Sequence, residues 1–146
     1  MTALFEHSPW VEASADALPS TGNRHADLMA VVHAASPDEQ LALIRAHPEL
    51  AGKAAIDRTL TAASAAEQAS AGLDRLSEAE FARFHALNAA YRERFDFPFI
   101  ICVRLTDKAG ILAAMERRLR NDRETEIATA LAQIGEIVRL RLEDQA

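Results

Sequence analysis

The chain has 146 residues with 22 acidic against 16 basic side chains and a net charge of −6, a one-domain length and the wrong sign of charge for nucleic acid or an anionic membrane. Its longest stretch without Asp, Glu, Lys or Arg runs only from Leu28 to Pro37, far short of the ~20 apolar residues of a membrane span, and Met1–Trp10 carries Glu6 and His7 where an export signal would be basic and then apolar. The single cysteine, Cys102, excludes an internal disulfide or cysteine-based zinc site and fits a reducing cytoplasm, while 31 alanines against five glycines and five prolines point to an all-α fold.

Ser8-Pro9-Trp10 reads as an N-cap, a proline at the first helical position and a core aromatic, and the helix it opens is expected to end near Leu18-Pro19. A second helix, from about Asn23 to Ala34, carries Leu28, Val31 and Val32 on one face. Ser36-Pro37-Asp38-Glu39 is a capping box with proline inside it, and the third helix ends at about Ala46 because His47-Pro48 cannot continue the ladder. From Glu49 to Leu60 no periodicity is convincing, and Gly52 suggests a loop. Helix resumes from about Thr61 to Ala71, with Gly72 as its C-terminal cap. A second capping box, Ser77-Glu78-Ala79-Glu80, opens a long helix with Phe81, Phe84, Leu87, Tyr91 and Phe95 as a core stripe. Phe97 to Val103 has β-type composition but no strand to pair with, which predicts a buried extended segment. A helix from about Asp107 to Arg120 follows. Asn121-Asp122-Arg123-Glu124 starts the last one, which reaches nearly to Gln145 with Ile127, Leu131, Ile134, Ile137, Val138 and Leu142 inward. With no repeat, linker or low-complexity tract, residues 1–146 are expected to form a single-domain bundle of about seven or eight helices.

No glycine-rich phosphate loop, metal-spaced His/Cys cluster or nucleophile elbow is present, so no metal is expected. His47 sits at a helix terminus braced by Pro48, beside carbonyl ends that favour the imidazolium; a surface cap is the simpler account. Ser64-Ala65-Ala66-Glu67 has capping-box spacing. A helix N-terminus also holds anions, however, and Glu67-Gln68 offers one titratable acceptor and one amide able to read a ureido or imide edge. Arg141 stands near the end of the last helix, where a cation suits the helix dipole and a solvated face is the usual explanation. Arg139, two residues away, is rotated ~200° from it. The backbone around Pro98 lacks intrahelical partners, which a flat heterocycle would supply.

These pieces occur together with Trp10-Val11-Glu12, Ala46-His47-Pro48-Glu49-Leu50-Ala51, Ser64-Ala65-Ala66-Glu67-Gln68, Leu87-Asn88-Ala89-Ala90-Tyr91, Phe95-Asp96-Phe97-Pro98-Phe99-Ile100, Arg118-Leu119-Arg120-Asn121-Asp122 and Arg139-Leu140-Arg141-Leu142. In that pattern the chain resembles the helical decarboxylases acting on 2-oxo-4-hydroxy-4-carboxy-5-ureidoimidazoline (OHCU), the last enzymes of the urate-to-allantoin route. His-Pro-Glu-Leu alone is a weak signal; followed at the family's spacing by Glu-Gln and Phe-Pro-Phe-Ile it is specific. The resemblance implies an all-α homodimer that needs no cofactor and converts a small ureide to (S)-allantoin. The ending Asp144-Gln145-Ala146, in place of a peroxisomal tripeptide, fits a cytoplasmic setting.

Carried onto this chain, the resemblance implies His47 and Glu67 as a catalytic pair and Arg141 as the third polar member. It places Pro48, Ser64, Gln68, Phe99, Ile100, Ile101, Cys102 and Val103 around the substrate. His47 would then handle the substrate's hydroxyl proton, Glu67 orient or polarise His47 and the ring, and Arg141 anchor an anionic or carbonyl oxygen. Two other classes compete. A metal-independent hydrolase of a related ureide would rely on the same His47 and Glu67, whereas a non-catalytic helical interaction module would lose nothing on removal of His47.

Overall fold

Seven α-helices and one 3-10 turn, with no strand among the described residues, make up the computed structural model, which describes residues 4–50 and 61–145. The loop expected from Glu49 to Leu60 lies mostly outside the described residues. In chain order the helices are α1 (Trp10–Asp16), α2 (Arg24–Ala34), α3 (Pro37–Arg45), α4 (Ala62–Ser70), α5 (Glu78–Phe95), α6 (Lys108–Arg118) and α7 (Arg123–Gln145), with the 3-10 turn at Val103–Leu105. Helix α1 packs on α2, α7 lies across α2 and α3, α5 lies against α6, and α4 packs on the 3-10 turn. Helices α2 and α7 approach closely at Gly135: a Cβ there would stand 3.1 Å from the Met29 terminal methyl, which would have to give way, and the Gly135 carbonyl lies 2.9 Å from His25 Nε2.

Local chemistry sets most helix ends. Both expected capping boxes form, Ser36 with Glu39 and Ser77 with Glu80, each closing two orphan N–H groups reciprocally. Gly72, at φ +80°, ends α4 as expected: its N–H reaches the Ala69 carbonyl and the Leu73 N–H reaches that of Gln68, a Schellman arrangement that only a left-handed residue completes. Two expectations fail. Ser8 does not cap α1; its hydroxyl donates to the Glu6 carbonyl across a turn in which His7 has φ +48°, leaving Pro9 in the cap position without a side-chain acceptor. Phe81 is not core but 36 % exposed, because the first turn of α5 precedes its buried stretch and the ring lies over His85 instead.

The rest of the aromatic stripe is buried and continues past the helix. Tyr91 is the centre of a ring cluster with Phe95, Phe97 and Phe99, at centroid distances of 4.6, 5.8 and 5.2 Å. Asp96, in the left-handed region at φ +62°, ends α5 and releases the chain into the non-helical segment expected there. That segment is one residue shorter than the sequence suggests, since Val103 already belongs to the 3-10 turn. Side-chain hydrogen bonds, one of them from the buried Arg118, replace the missing strand partners. Arg118 Nη1 donates to the Ile100 carbonyl at 2.7 Å, Gln133 Oε1 accepts from the Cys102 N–H at 2.9 Å, and Arg123 Nε donates to the Phe95 carbonyl at 3.1 Å.

Arg118 is itself held by Glu126, which is wholly buried and accepts from Arg118 Nε (2.8 Å), the Tyr91 hydroxyl (2.6 Å) and Asn121 Nδ2 (2.8 Å). Removing one member of such a pair leaves an uncompensated charge in the core. Glu126→Ala is therefore expected to lower the unfolding free energy in urea by about 3–5 kcal/mol, against about 1 kcal/mol for the capping change Ser77→Ala. Equal losses in the two variants would show that the network is not what fixes the segment.

Candidate active site

Arg141 is on the last two turns of α7, and on sequence grounds a solvated face was the simpler expectation for it. It is instead 3 % exposed, and its fork is occupied. Nε and Nη2 donate to the two oxygens of Glu67 at 2.9 and 2.7 Å, Nη2 also reaches Glu6 Oε1 at 2.9 Å, and Nη1 donates to the Leu4 carbonyl at 3.3 Å. Arg139, pointing away on the same helix, makes half-exposed pairs with Glu136 and Glu143.

Glu6 is the residue that sequence reasoning missed, having figured there only as a charge unsuited to an export signal. It is 1 % exposed and accepts from the Ser64 hydroxyl at 2.6 Å, the Thr61 hydroxyl at 2.9 Å and Arg141. Burial pushes its carboxyl up, but the Ser64 hydrogen bond and the Arg141 charge outweigh that and hold it below the ordinary value. The usable signal was an acid set between Leu4-Phe5 and Ser8-Pro9-Trp10, a stretch otherwise fit for burial.

The contacts of Glu6 also correct the capping-box reading of Ser64 and Glu67. The cap of α4 is Thr61, whose oxygen accepts from the Ser64 N–H at 3.2 Å. Ser64 and Glu67 are one turn apart on the same helix face, both turned to Arg141. The spacing is the same; its use is different.

His47 follows α3 by two residues, with its backbone N–H on the Ile44 carbonyl at 3.1 Å. Two links hold this corner against its neighbours: Arg45 binds the Asp96 carboxylate at 2.9 Å, and Asn88 Nδ2 donates to the Leu50 carbonyl at 2.8 Å. The ring is buried and its Nε2 has no hydrogen-bond partner among the described residues. A surface cap and an imidazolium were both expectations for this position, and the structure overturns both. Burial pushes His47 down to about 4, with Arg141 and His7 adding to the shift and Glu6 opposing it. At neutral pH the ring is an uncharged imidazole.

His47, Pro48, Ser64, Glu67, Gln68, Phe99 to Val103 and Arg141 line one inner cavity of about 40 Å³, together with Leu50, Arg104 and Ile137, which sequence reasoning did not single out. A wider outer cavity of about 310 Å³ adjoins it and shares Glu67, Arg104 and Arg141. The Cys102 thiol is pushed up by burial, a direction that keeps it protonated. No hydrogen bond among the described residues engages the Ile101 backbone. Among the described residues no three His, Cys, Asp or Glu side chains group to hold a metal ion, and no helix is long and apolar enough to cross a membrane.

The sequence profile described as OHCU decarboxylase matches residues 1–143. The chain belongs to the OHCU decarboxylase family. It is 43 % identical to a 2-oxo-4-hydroxy-4-carboxy-5-ureidoimidazoline decarboxylase of Haloferax volcanii, over 97 % of this chain and 84 % of that protein. Among solved structures it is similar to an (S)-allantoin synthase, at 31 % identity and a TM-score of 0.70 over 97 % of this chain and 46 % of that one. The same fold is seen in an OHCU decarboxylase crystallised in the presence of (S)-allantoin, at 19 % identity and a TM-score of 0.73, covering 95 % of this chain and 92 % of that one.

The depressed His47 pKa makes stability depend on pH. The unfolded chain takes up a proton near 6.5 and the folded one only near 4, so this contribution is full above 6.5 and is lost progressively as pH falls towards 4. Between pH 7 and pH 5 the wild type is expected to lose about 2 kcal/mol more than His47→Gln, measured by urea unfolding at the two pH values. Parallel losses would mean that the ring titrates normally.

Proposed function

We propose that this protein decarboxylates OHCU to (S)-allantoin, the final step of urate degradation. The carrying observation is a buried, uncharged His47 with an unpartnered ring nitrogen in the cavity that also presents Glu67, Gln68 and the Phe99–Val103 backbone. A base must be unprotonated to accept a proton, and this imidazole is.

The reaction asks little else of the protein. When the bond to the carboxylate breaks, its electron pair passes into the ring and on to the nitrogen of the adjoining C=N, which takes a proton as CO2 leaves. The substrate is thus its own electron sink. The hydroxyl then gives up its proton as the ring carbonyl forms, and the neighbouring carbon receives one on a single face, which fixes the enantiomer. His47 accepts the hydroxyl proton; such transfers contribute roughly 10²–10⁴-fold. Glu67, its carboxylate fixed by the Arg141 fork, and Gln68 read the ring and ureido edges, while Ser64 and Pro48 complete the wall. In the unliganded state Arg141 acts through the two carboxylates it holds, rather than as the open anchor expected from sequence. The resemblance in sequence supports a cytoplasmic homodimer as part of the same reading.

Circular dichroism on freshly formed product of urate oxidase and hydroxyisourate hydrolase tests the assignment. Rapid appearance of one allantoin enantiomer is expected with the wild type and none above background with His47→Ala, whose far-ultraviolet spectrum should be unchanged. Full activity in His47→Ala would remove His47 from the chemistry, and a wild type that forms no single enantiomer above background would overturn the reading and favour an interaction module. Arg141→Lys is expected to lose most turnover per folded protein, since one ammonium cannot span Glu6 and both oxygens of Glu67, whereas Arg139→Lys should match the wild type. The reverse result would place the wrong arginine in the site.

A further inference from the structure

The substrate of this reaction is a carboxylate, and Arg141, which lines the inner cavity, is already engaged by two carboxylates, Glu6 and Glu67. Placing another anion there without a cation is costly. Arg141 cannot supply it without releasing a buried carboxylate. Among the described residues lining this cavity the other arginine is Arg104. It stands where the inner cavity meets the outer one, as a lining residue of both. The inner space alone holds only a few waters, so a ring carrying a hydroxyl, a carboxylate and a ureido arm has to extend across that boundary.

Arg104 is also available at low cost. Its present partner is Asp144, held through Nη1 at 2.7 Å and Nη2 at 3.2 Å, and the pair is open to water, with side chains 31 % and 59 % exposed. Exposed pairs of this kind contribute little. The substrate's carboxylate can take the place of the Asp144 carboxylate on the same two N–H groups.

On the decarboxylase reading given above, we propose that Arg104 is the capture site for the substrate's carboxylate at the cavity mouth, exchanging Asp144 for it by a bidentate contact. An anchor on the departing group favours the bound acid over a transition state whose charge has moved into the ring, so it acts on binding rather than on the chemical step. The product carries no carboxylate. Asp144 then regains Arg104, and the neutral ureide leaves without that contact to hold it.

Steady-state kinetics and calorimetry on the whole protein test this. Arg104→Gln should raise KM by about ten- to a hundredfold with kcat unchanged or raised, and Asp144→Asn, which frees the guanidinium, should lower KM. In calorimetry with allantoate, a ureido carboxylate, and neutral allantoin as probes, Arg104→Gln should weaken allantoate at least tenfold and leave allantoin unchanged. An unchanged KM, a loss confined to kcat, or equal weakening of both probes would overturn the assignment. Absence of turnover in the wild type would instead sink the decarboxylase reading, and the allantoate comparison would still decide whether Arg104 binds carboxylates.

Discussion

The site depends on one guanidinium shared by two buried carboxylates. Arg141 closes its fork on Glu67 and reaches Glu6 with the same Nη2, which ties the N-terminal segment, α4 and α7 to one point. Such a cluster is a poor device for raw stability, since desolvating three charges costs about as much as their attraction returns. What it provides is geometry. A planar fork on a carboxylate fixes both distance and orientation, so Glu67 faces the cavity in one pose and Ser64, bonded to Glu6, stays beside it. The second buried network, of Arg118, Glu126 and Tyr91, does the same for the non-helical segment of the lining by holding the Ile100 carbonyl.

The burial that makes this precision possible also sets the protonation state of His47. Out of water the ring is neutral at physiological pH, the right form to accept a proton but in itself a weak base. An entering anion reverses part of that shift, because a negative charge beside the ring stabilises the imidazolium. A ligand without a carboxylate leaves the ring as it is.

Local patterns in the sequence carried most of the fold. Capping boxes at Ser36 and Ser77, the proline after His47 and the glycine after Ala71 each determine a helix end through contacts spanning two to five residues, and such contacts are legible in one dimension. The inward face expected for α7 is likewise present, with Leu131, Ile134 and Val138 buried and Ile127, Ile137 and Leu142 partly so. The failures share a cause. Ser8 could cap a helix or turn back on Glu6, Ser64 and Glu67 fit a capping box as well as a shared face, and Arg141 suits a helix dipole as well as a buried pair. In each, a partner remote in sequence decided the outcome. Glu6 was invisible for the same reason, because nothing beside it in the chain reveals the arginine it binds. The resemblance to a family named most of the cavity lining, but not how its charges pair.

Glu6 and Arg141 are separated by 135 positions, almost the whole chain. Contacts of such long sequence separation form late, after the local helices and their nearer packing have lowered the entropy of closure. A ribosome releasing this chain would expose α1 to α6 while the partner of Glu6 was still in the exit tunnel, leaving Glu6 and Glu67 hydrated and uncompensated until α7 emerged. Competence for binding would then come after the local helices rather than with them, and a chain truncated before Arg141 would keep many of its helices and have no organised site.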